Sequence, residues 1–244
     1  MISFIICAFN EDANLKDTVN SIYKAKQKIN FLNDYEIIIV DDGSDDETFK
    51  IATDLKNRDS NINLIKNSKN IGYGESLKRG LNEVKYEKFI VIPGDNDLTA
   101  DTIASGLSKI SKADLIMIFP VNIENRSKIR NLISITFKMI YLMFFDCYVN
   151  YINSPAIYPT KCVKKFKLKS SKFSIIAEIT TKILHQNISY LEVPTIFKTS
   201  LRKRKTVTFS NLIEVIISFI NLYMEIKIFN KNNFLHKAKR INEV

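Results

Sequence analysis

Four apolar runs punctuate the first half of the chain: ISFIIC, EIIIV, FIVI and DLIMIF. They are short and rich in β-branched residues, and they lack in-out alternation. Each therefore predicts a strand covered on both faces. A weaker run, INLIK, predicts a fifth. Between the runs, apolar positions recur at helical spacing. Residues 13–29 place Leu15, Val19, Ile22 and Ala25 on one face, and residues 45–57 do so with Thr48, Ile51, Ala52 and Leu55. Residues 75–85 follow with Leu77, Leu81 and Val84. Strand and helix thus alternate, the pattern of an α/β protein with a mainly parallel, doubly wound sheet and helices on both faces.

In such sheets ligands bind beyond the carboxyl ends of the strands. There the chain reads AFNED after ISFIIC, DDGSDD after EIIIV, and PGDNDL after FIVI. One aspartate at a strand end ordinarily caps a turn or helix. Three acid-rich ends converging on one edge predict a site. Asp95 and Asp97, one residue apart, suit a hard divalent cation that keeps several waters and takes its remaining ligands from a diphosphate. Pro93-Gly94 ends the strand and turns the pair toward the ligand. Asp41 or Asp42 can accept hydrogen bonds from a ribose hydroxyl or a base N–H. The stretch NIGYGESLKRGL is punctuated by Gly72 and Gly74 and opens a helix. It lacks the Walker pattern, and no G-x-G-x-x-G follows the first strand, which disfavours P-loop ATPase and nicotinamide dehydrogenase chemistry.

Composition adds asymmetry. The 244 residues carry a net charge of +10, but residues 1–120 balance at −4 and residues 121–244 at +14. The front half works with carboxylates, while the back half seeks anions such as phosphates or lipid head groups, unless its bases form only a solvated surface. Three scattered cysteines make neither a disulfide framework nor a metal spacing and suit a reducing compartment. The start, MISFIICAFNED, reads as a strand rather than a signal peptide.

Taken together, CAFNE, VDDGSDDET, NIGYGESLKRGL and IPGDNDL, in this order over residues 2 to about 100, resemble the family-2 glycosyltransferases of the GT-A fold, and among them the dolichyl-phosphate mannosyltransferase-like branch. By that resemblance Ala8, Phe9, Asn10, Glu11 and Asp41 line a nucleotide pocket, with Asp42, Gly72 and Lys78 counted beside them. Asp95 and Asp97 become a binding pair for Mg2+ or Mn2+, with Asp97 also among the catalytic residues. Farther on, FSIIAEITTKILHQNISYLEVPTIFK looks like the family's acidic helix and following strand, with Glu178 at the acidic position. Glu178 is the candidate general base for a hydroxyl acceptor. For a lipid phosphate, already an anion, it would be an orienting or structural group. SLRKRKTVTF resembles the basic loop over the donor diphosphate, which makes Arg202 and Arg204 catalytic candidates and Lys205 a donor contact. Three positions depart from the family pattern: Cys7, Asn96 and the segment Asn153-Ser154-Pro155.

Two segments bear on membranes. NLISITFKMIYLMFF is too short to span a bilayer. Residues 207–229 are longer, but Asn211, Glu214, Ser218, Asn221 and Glu225 recur at spacings of 3, 4, 3 and 4, one narrow polar stripe on an apolar helix. Such a helix lies in the membrane interface or packs against its neighbour or a second subunit. The expected organisation is a glycosyltransferase domain over 1–205, with a nucleotide-sugar half (1–120) and an acceptor half (121–205), then an amphipathic helix and basic tail over 206–244. The expected activity is metal-dependent, inverting sugar transfer from a UDP- or GDP-sugar to a polyprenyl-phosphate-type lipid, at the cytoplasmic face of the cell membrane. Transfer to a saccharide hydroxyl in envelope glycan assembly is the alternative. Nucleic-acid binding is disfavoured, because no base-stacking motif accompanies the basic residues.

Overall fold

A computed structural model describes residues 1–29, 34–122, 128–197 and 209–242, with backbone alone at 128–130 and 209–212. Its first half alternates as the apolar runs require: β1 (Ile2–Ala8), α1 (Leu15–Gln27), β2 (Tyr35–Asp41), α2 (Thr48–Arg58), β3 (Ile62–Lys66), α3 (Tyr73–Glu83), β4 (Lys88–Pro93), α4 (Ala100–Leu107) and β5 (Leu115–Pro120). The second half holds α5 (Lys128–Phe145), β6 (Ala156–Pro159), the single turn α6 (Thr160–Val163), α7 (Ser174–Leu184), β7 (Ser189–Thr195), α8 (Phe209–Tyr223) and β8 (Lys239–Arg240). The strands form one sheet in the order β3-β2-β1-β4-β6-β5-β7-β8. Only β6 runs antiparallel to its neighbours. At four residues it carries too little pattern to be read from sequence.

Two apolar layers sandwich the sheet, as the unbroken runs predict. On one side Leu15, Val19 and Ile22 of α1 and Ile103 and Leu107 of α4 meet Phe4, Ile6 and Ile39. On the other, Leu77 and Leu81 of α3 and Ile175 and Ile179 of α7 meet Ile5, Ile38 and Val40. Full burial of a side chain of this size stabilises the fold by about 1.5–3 kcal/mol, and buried Ser3 within β1 is paired, donating to Glu36 Oε1 (2.6 Å).

The C-terminal segment does not stand apart from this core. From α8 the chain enters a π-helical turn, Met224–Phe229, then a 3-10 turn, Lys231–Phe234, before β8 pairs with β7. Leu222, Ile226 and Phe234 join the same layer as α3 and α7. Of the polar stripe, Glu214, Ser218 and Glu225 turn inward, while Asn221 is exposed. Glu214 accepts hydrogen bonds from Ser174 of α7 (2.9 Å) and from Ser218 (3.0 Å). Glu225 ion-pairs with Lys182 and Lys169, both at 2.7 Å. The apolar flanks Ile213, Ile216, Ile217 and Ile220 are exposed. α5 lies alongside, joined to α8 by edge-on contacts of Phe144 and Phe145 with Phe219 and Tyr223. It too turns apolar side chains outward, Leu132 at 65% and Met143 at 74% exposure. Among the described residues no helix is long and apolar enough to cross a membrane.

Candidate functional site

Strand register brings the three acid-rich ends together. Ala8 pairs with Asp41 and Cys7 with Pro93, so the loops after β1, β2 and β4 leave one edge side by side. The first two are laced to each other. The Asn10 amide donates to Ser44 Oγ (3.0 Å), and the Asp45 amide to Asn10 Oδ1 (3.0 Å). The Glu11 amide donates to Thr48 Oγ1 (2.7 Å). Asn10 sits at φ 54°, a left-handed conformation asparagine tolerates. Gly43, at φ +71°, could not be replaced: a Cβ there would lie 2.4 Å from the Lys69 carbonyl carbon. Phe9 is exposed at the edge and Ala8 is buried beneath it.

Asp41 and Asp42 do different things. Asp42 Oδ1 accepts from Asn67 Nδ2 (2.8 Å) and the Ile71 amide (2.9 Å), and its Oδ2 accepts from the Gly72 amide (3.0 Å). It clamps the approach to α3 and is fully engaged. Asp41 is equally buried, yet its Oδ2 has no hydrogen-bond partner. Its Oδ1 receives only a long contact of 3.4 Å from the Ser44 amide. A buried carboxylate oxygen left unpaired costs about 1–3 kcal/mol or more, a recurrent mark of a ligand-facing group.

After β4 the chain turns at Asp95-Asn96-Asp97. Thr18 Oγ1 of α1 donates to the Gly94 carbonyl (2.9 Å), and Ser21 Oγ donates to Asn96 Oδ1 (3.1 Å). The Asp97 amide donates to Asp95 Oδ1 (3.1 Å), and Asn96 takes φ 56°. The turn is thus held from behind by α1, with Asn96 as the tether and a half-buried carboxylate on either side. Two hard oxygen donors on a braced turn fit Mg2+ or Mn2+, which accept one or two carboxylates and draw further ligands from water and phosphate. No group of three metal-ligating side chains occurs among the described residues.

Gly74 at the start of α3 is pressed against the strap before α7: its amide donates to the Ser171 carbonyl (2.9 Å), and a Cβ would come within 2.5 Å of Ser171. Tyr73 stacks on Phe173 with ring centroids 5.5 Å apart. Burial raises the Tyr73 phenol well above its usual range, with Cys7, Tyr158 and Asp95 adding to the shift. Burial also raises the Cys7 thiol, with Asp42 adding to it, so Cys7 stays a protonated core residue. Two expected donor contacts are already engaged: the Gly72 amide with Asp42, and Lys78 in an ion pair with Glu75 (2.6 Å).

Glu178 lies on α7 away from solvent. It accepts from the Lys169 amide (3.0 and 3.1 Å), the Ser170 amide (2.8 Å) and the ammonium of fully buried Lys182 (2.8 Å). These bonds occupy both oxygens. Lys182, which also pairs with Glu225 of the polar stripe, is the residue that the sequence reading missed. The i,i+4 spacing of Glu178 and Lys182 was the available signal. Arg202, Arg204 and Lys205 lie outside the described residues.

The profile of the family described as Glycosyl transferase family 2 matches residues 3–165. Over 117 residues the chain is 38% identical to the cholesterol galactosyltransferase of Borreliella burgdorferi, covering 46% of this chain and 30% of that protein. Over 85 residues it is 40% identical to the dolichyl-phosphate beta-glucosyltransferase of Dictyostelium discoideum, covering 33% and 26%. The chain thus spans less than a third of the length of these two relatives. Among solved structures, glucosyl-3-phosphoglycerate synthase from Mycobacterium tuberculosis, in complex with Mg2+ and UDP, superposes with a TM-score of 0.65 at 15% identity, over 91% of this chain and 79% of that one. S. aureus TarS in complex with UDP-GlcNAc does so with a TM-score of 0.61 at 17% identity, over 96% and 70%. Likeness at these identities establishes a shared fold.

Proposed function

The chain belongs to glycosyl transferase family 2, and from that premise we propose that it transfers a sugar, with inversion, from a nucleoside diphosphate sugar to a polyprenyl-phosphate-type lipid at a membrane surface. The observation that carries this reading is the pairing, on one sheet edge, of a braced two-carboxylate turn with a buried acceptor that lacks a donor.

Asp41 Oδ2 needs an N–H. Uracil and guanine each present a ring N–H, whereas the corresponding ring nitrogen of cytosine is an acceptor and only its exocyclic amino group donates, so UDP and GDP are the favoured donors. The oxygen is covered, so a base reaches it only as the covering groups shift. Asp95 and Asp97 would hold Mg2+ or Mn2+. The metal, when bound, offsets the charge that develops on the leaving diphosphate. Arg202, Arg204 and Lys205 would add cations on its other side. UDP complexes of the structural relatives support the donor class, and the dolichyl-phosphate relative supports the acceptor class.

Glu178 is proposed as a positioning residue. Its oxygens hold the strap before α7, and a phosphate acceptor, ionised at neutral pH, attacks without a base. The exposed apolar flanks of α5 and α8 would rest in the membrane interface.

A thermal-shift panel of UDP-, GDP- and CMP-sugars, with and without Mn2+, tests the reading. A rise with a UDP- or GDP-sugar that requires the metal is expected. Equal shifts without metal, or a shift with CMP-sugars alone, would overturn it.

A further inference from the structure

A cavity of about 260 Å³ opens between α7 and α8, apart from the strand-end loops. Its floor is polar, with buried Glu178 and Glu225 beside Ser170 and Ser171. Glu214, Ser218 and Asn221 line the α8 wall. Its lip is apolar: Ile213 and Ile217 border it and continue into the exposed face that α8 shares with α5.

Charge decides what such a space holds. Three carboxylates, Glu178, Glu214 and Glu225, border it, against Lys169 on the lining and Lys182 behind it. Both lysines are ion-paired, Lys169 with Glu225 and Lys182 with Glu178 and Glu225. Among the described lining residues and Lys182 the formal balance is −1, and both of these lysines are already paired. A phosphate would meet repulsion from these carboxylates. The side chains along the wall, a carboxylate, a hydroxyl and an amide, pair well with hydroxyl groups. The volume falls just below the ~300–1,000 Å³ of small-molecule sites, so it accommodates a head group rather than a whole lipid. The apolar lip provides a path for a tail.

We infer that the α7–α8 cavity binds the uncharged, hydroxyl-bearing head group of a membrane amphiphile, with the tail lying along Ile213 and Ile217. This is a second lipid site, distinct in charge from any that accepts a lipid phosphate. It rests on the membrane reading above only for where the tail goes. The cavity wall also connects to the sheet edge, because the Ser171 carbonyl holds the Gly74 amide at the start of α3.

Calorimetric titration of the chain with an octyl hexoside below its micellar concentration tests this without any bilayer, and octyl phosphate serves as the charged counterpart. Saturable binding of the hexoside, at least tenfold tighter than the phosphate, is expected. Ser218→Leu fills the wall and should weaken it at least tenfold. Asn221→Leu, at an exposed helix position, should do the same and guards against misfolding of the first variant. No saturable hexoside binding, tighter binding of the phosphate, or unchanged affinity in both folded variants would overturn the inference. Sedimentation with plain anionic vesicles tests the membrane reading separately, so the two can fail independently.

Discussion

The sheet edge and the α7–α8 side use buried acids in opposite ways. At the edge, Asp42 is bound by the Ile71 and Gly72 amides before α3, and Asp95 by the Asp97 amide of its own loop. Those bonds come from dipoles and fix loop shape. Across the molecule, Glu178 and Glu225 are matched to Lys182 and Lys169 inside the fold. Their charge is consumed internally, and what they contribute is placement. Apolar residues show the converse: β1 is buried at every position, whereas α5 exposes Leu132, Ile133, Met139 and Met143 and α8 exposes Ile213, Ile216, Ile217 and Ile220. Acids held by dipoles thus shape a loop, acids held by cations fix packing, and an apolar region is a core only where something already covers it.

The largest expected effect breaks the edge half of that contrast. Asp97→Ala should lower sugar transfer by about 10³-fold, the order lost when charge stabilisation of a transition state is removed, while thermal melting shows a folded protein. EDTA should do the same reversibly. Full activity in either case would mean the edge acids hold no metal.

Next come the neighbouring aspartates. Asp42→Ala strips the acceptor from three N–H donors and should reduce stability to urea by roughly 2–4 kcal/mol, since each unsatisfied buried donor costs about 1–3 kcal/mol with partial relaxation. Asp41→Asn should leave stability nearly unchanged and weaken UDP- or GDP-sugar binding about tenfold, or ~1.4 kcal/mol. Reversed results would exchange their roles.

Glu178→Gln sharpens the other half. The amide keeps the shape and one accepting oxygen and loses the bonds to the other, but no base is removed from a phosphate acceptor, so transfer to a polyprenyl phosphate should stay within about tenfold of wild type, ~1.4 kcal/mol in barrier. The melting temperature should fall, because Lys182 keeps only Glu225 as a counter-charge. A loss of a thousandfold or more with donor binding intact would make Glu178 a base and shift the acceptor to a hydroxyl.

The smallest effect concerns the uncovered face. Met143→Glu and Ile216→Glu should each reduce partition onto anionic vesicles several-fold, and wild-type partition should fall with salt, because exposed charges are screened over about 8 Å at physiological ionic strength. Donor-induced thermal shifts should not change. Equal vesicle recovery of variants and wild type would assign the face to another partner.

Much of the front half was legible because strands covered on both faces leave unbroken apolar runs, and the acids follow them directly. The division of labour between Asp41 and Asp42 was not, because adjacent residues at a strand end turn to opposite sides, and sequence does not say which side meets the ligand. The 3-4-3-4 stripe on α8 correctly gathered Glu214, Ser218, Asn221 and Glu225 on one face. Periodicity reports which residues share a face, but not which face is inside. That depends on Ser174 and Lys182, some 40 positions from Glu214 and Glu225. Short β6 and the pairing of β8 with β7 rest on long-range contacts that no local pattern records.

The π-helical turn at Met224–Phe229 has a consequence for sequence length. A wide turn holds one more residue than an α-helical turn would, and here it follows directly on α8 while Glu225 reaches Lys182 and Lys169. Removing one residue from Lys227–Phe229 would allow the turn to tighten. Everything downstream would then rotate by about 100°, carrying Phe234 out of the core and β8 out of register with Ser189 and Tyr190. A single-codon deletion in this stretch should therefore be more damaging than most substitutions within it, making the turn a spacer whose length, more than its side chains, is under constraint.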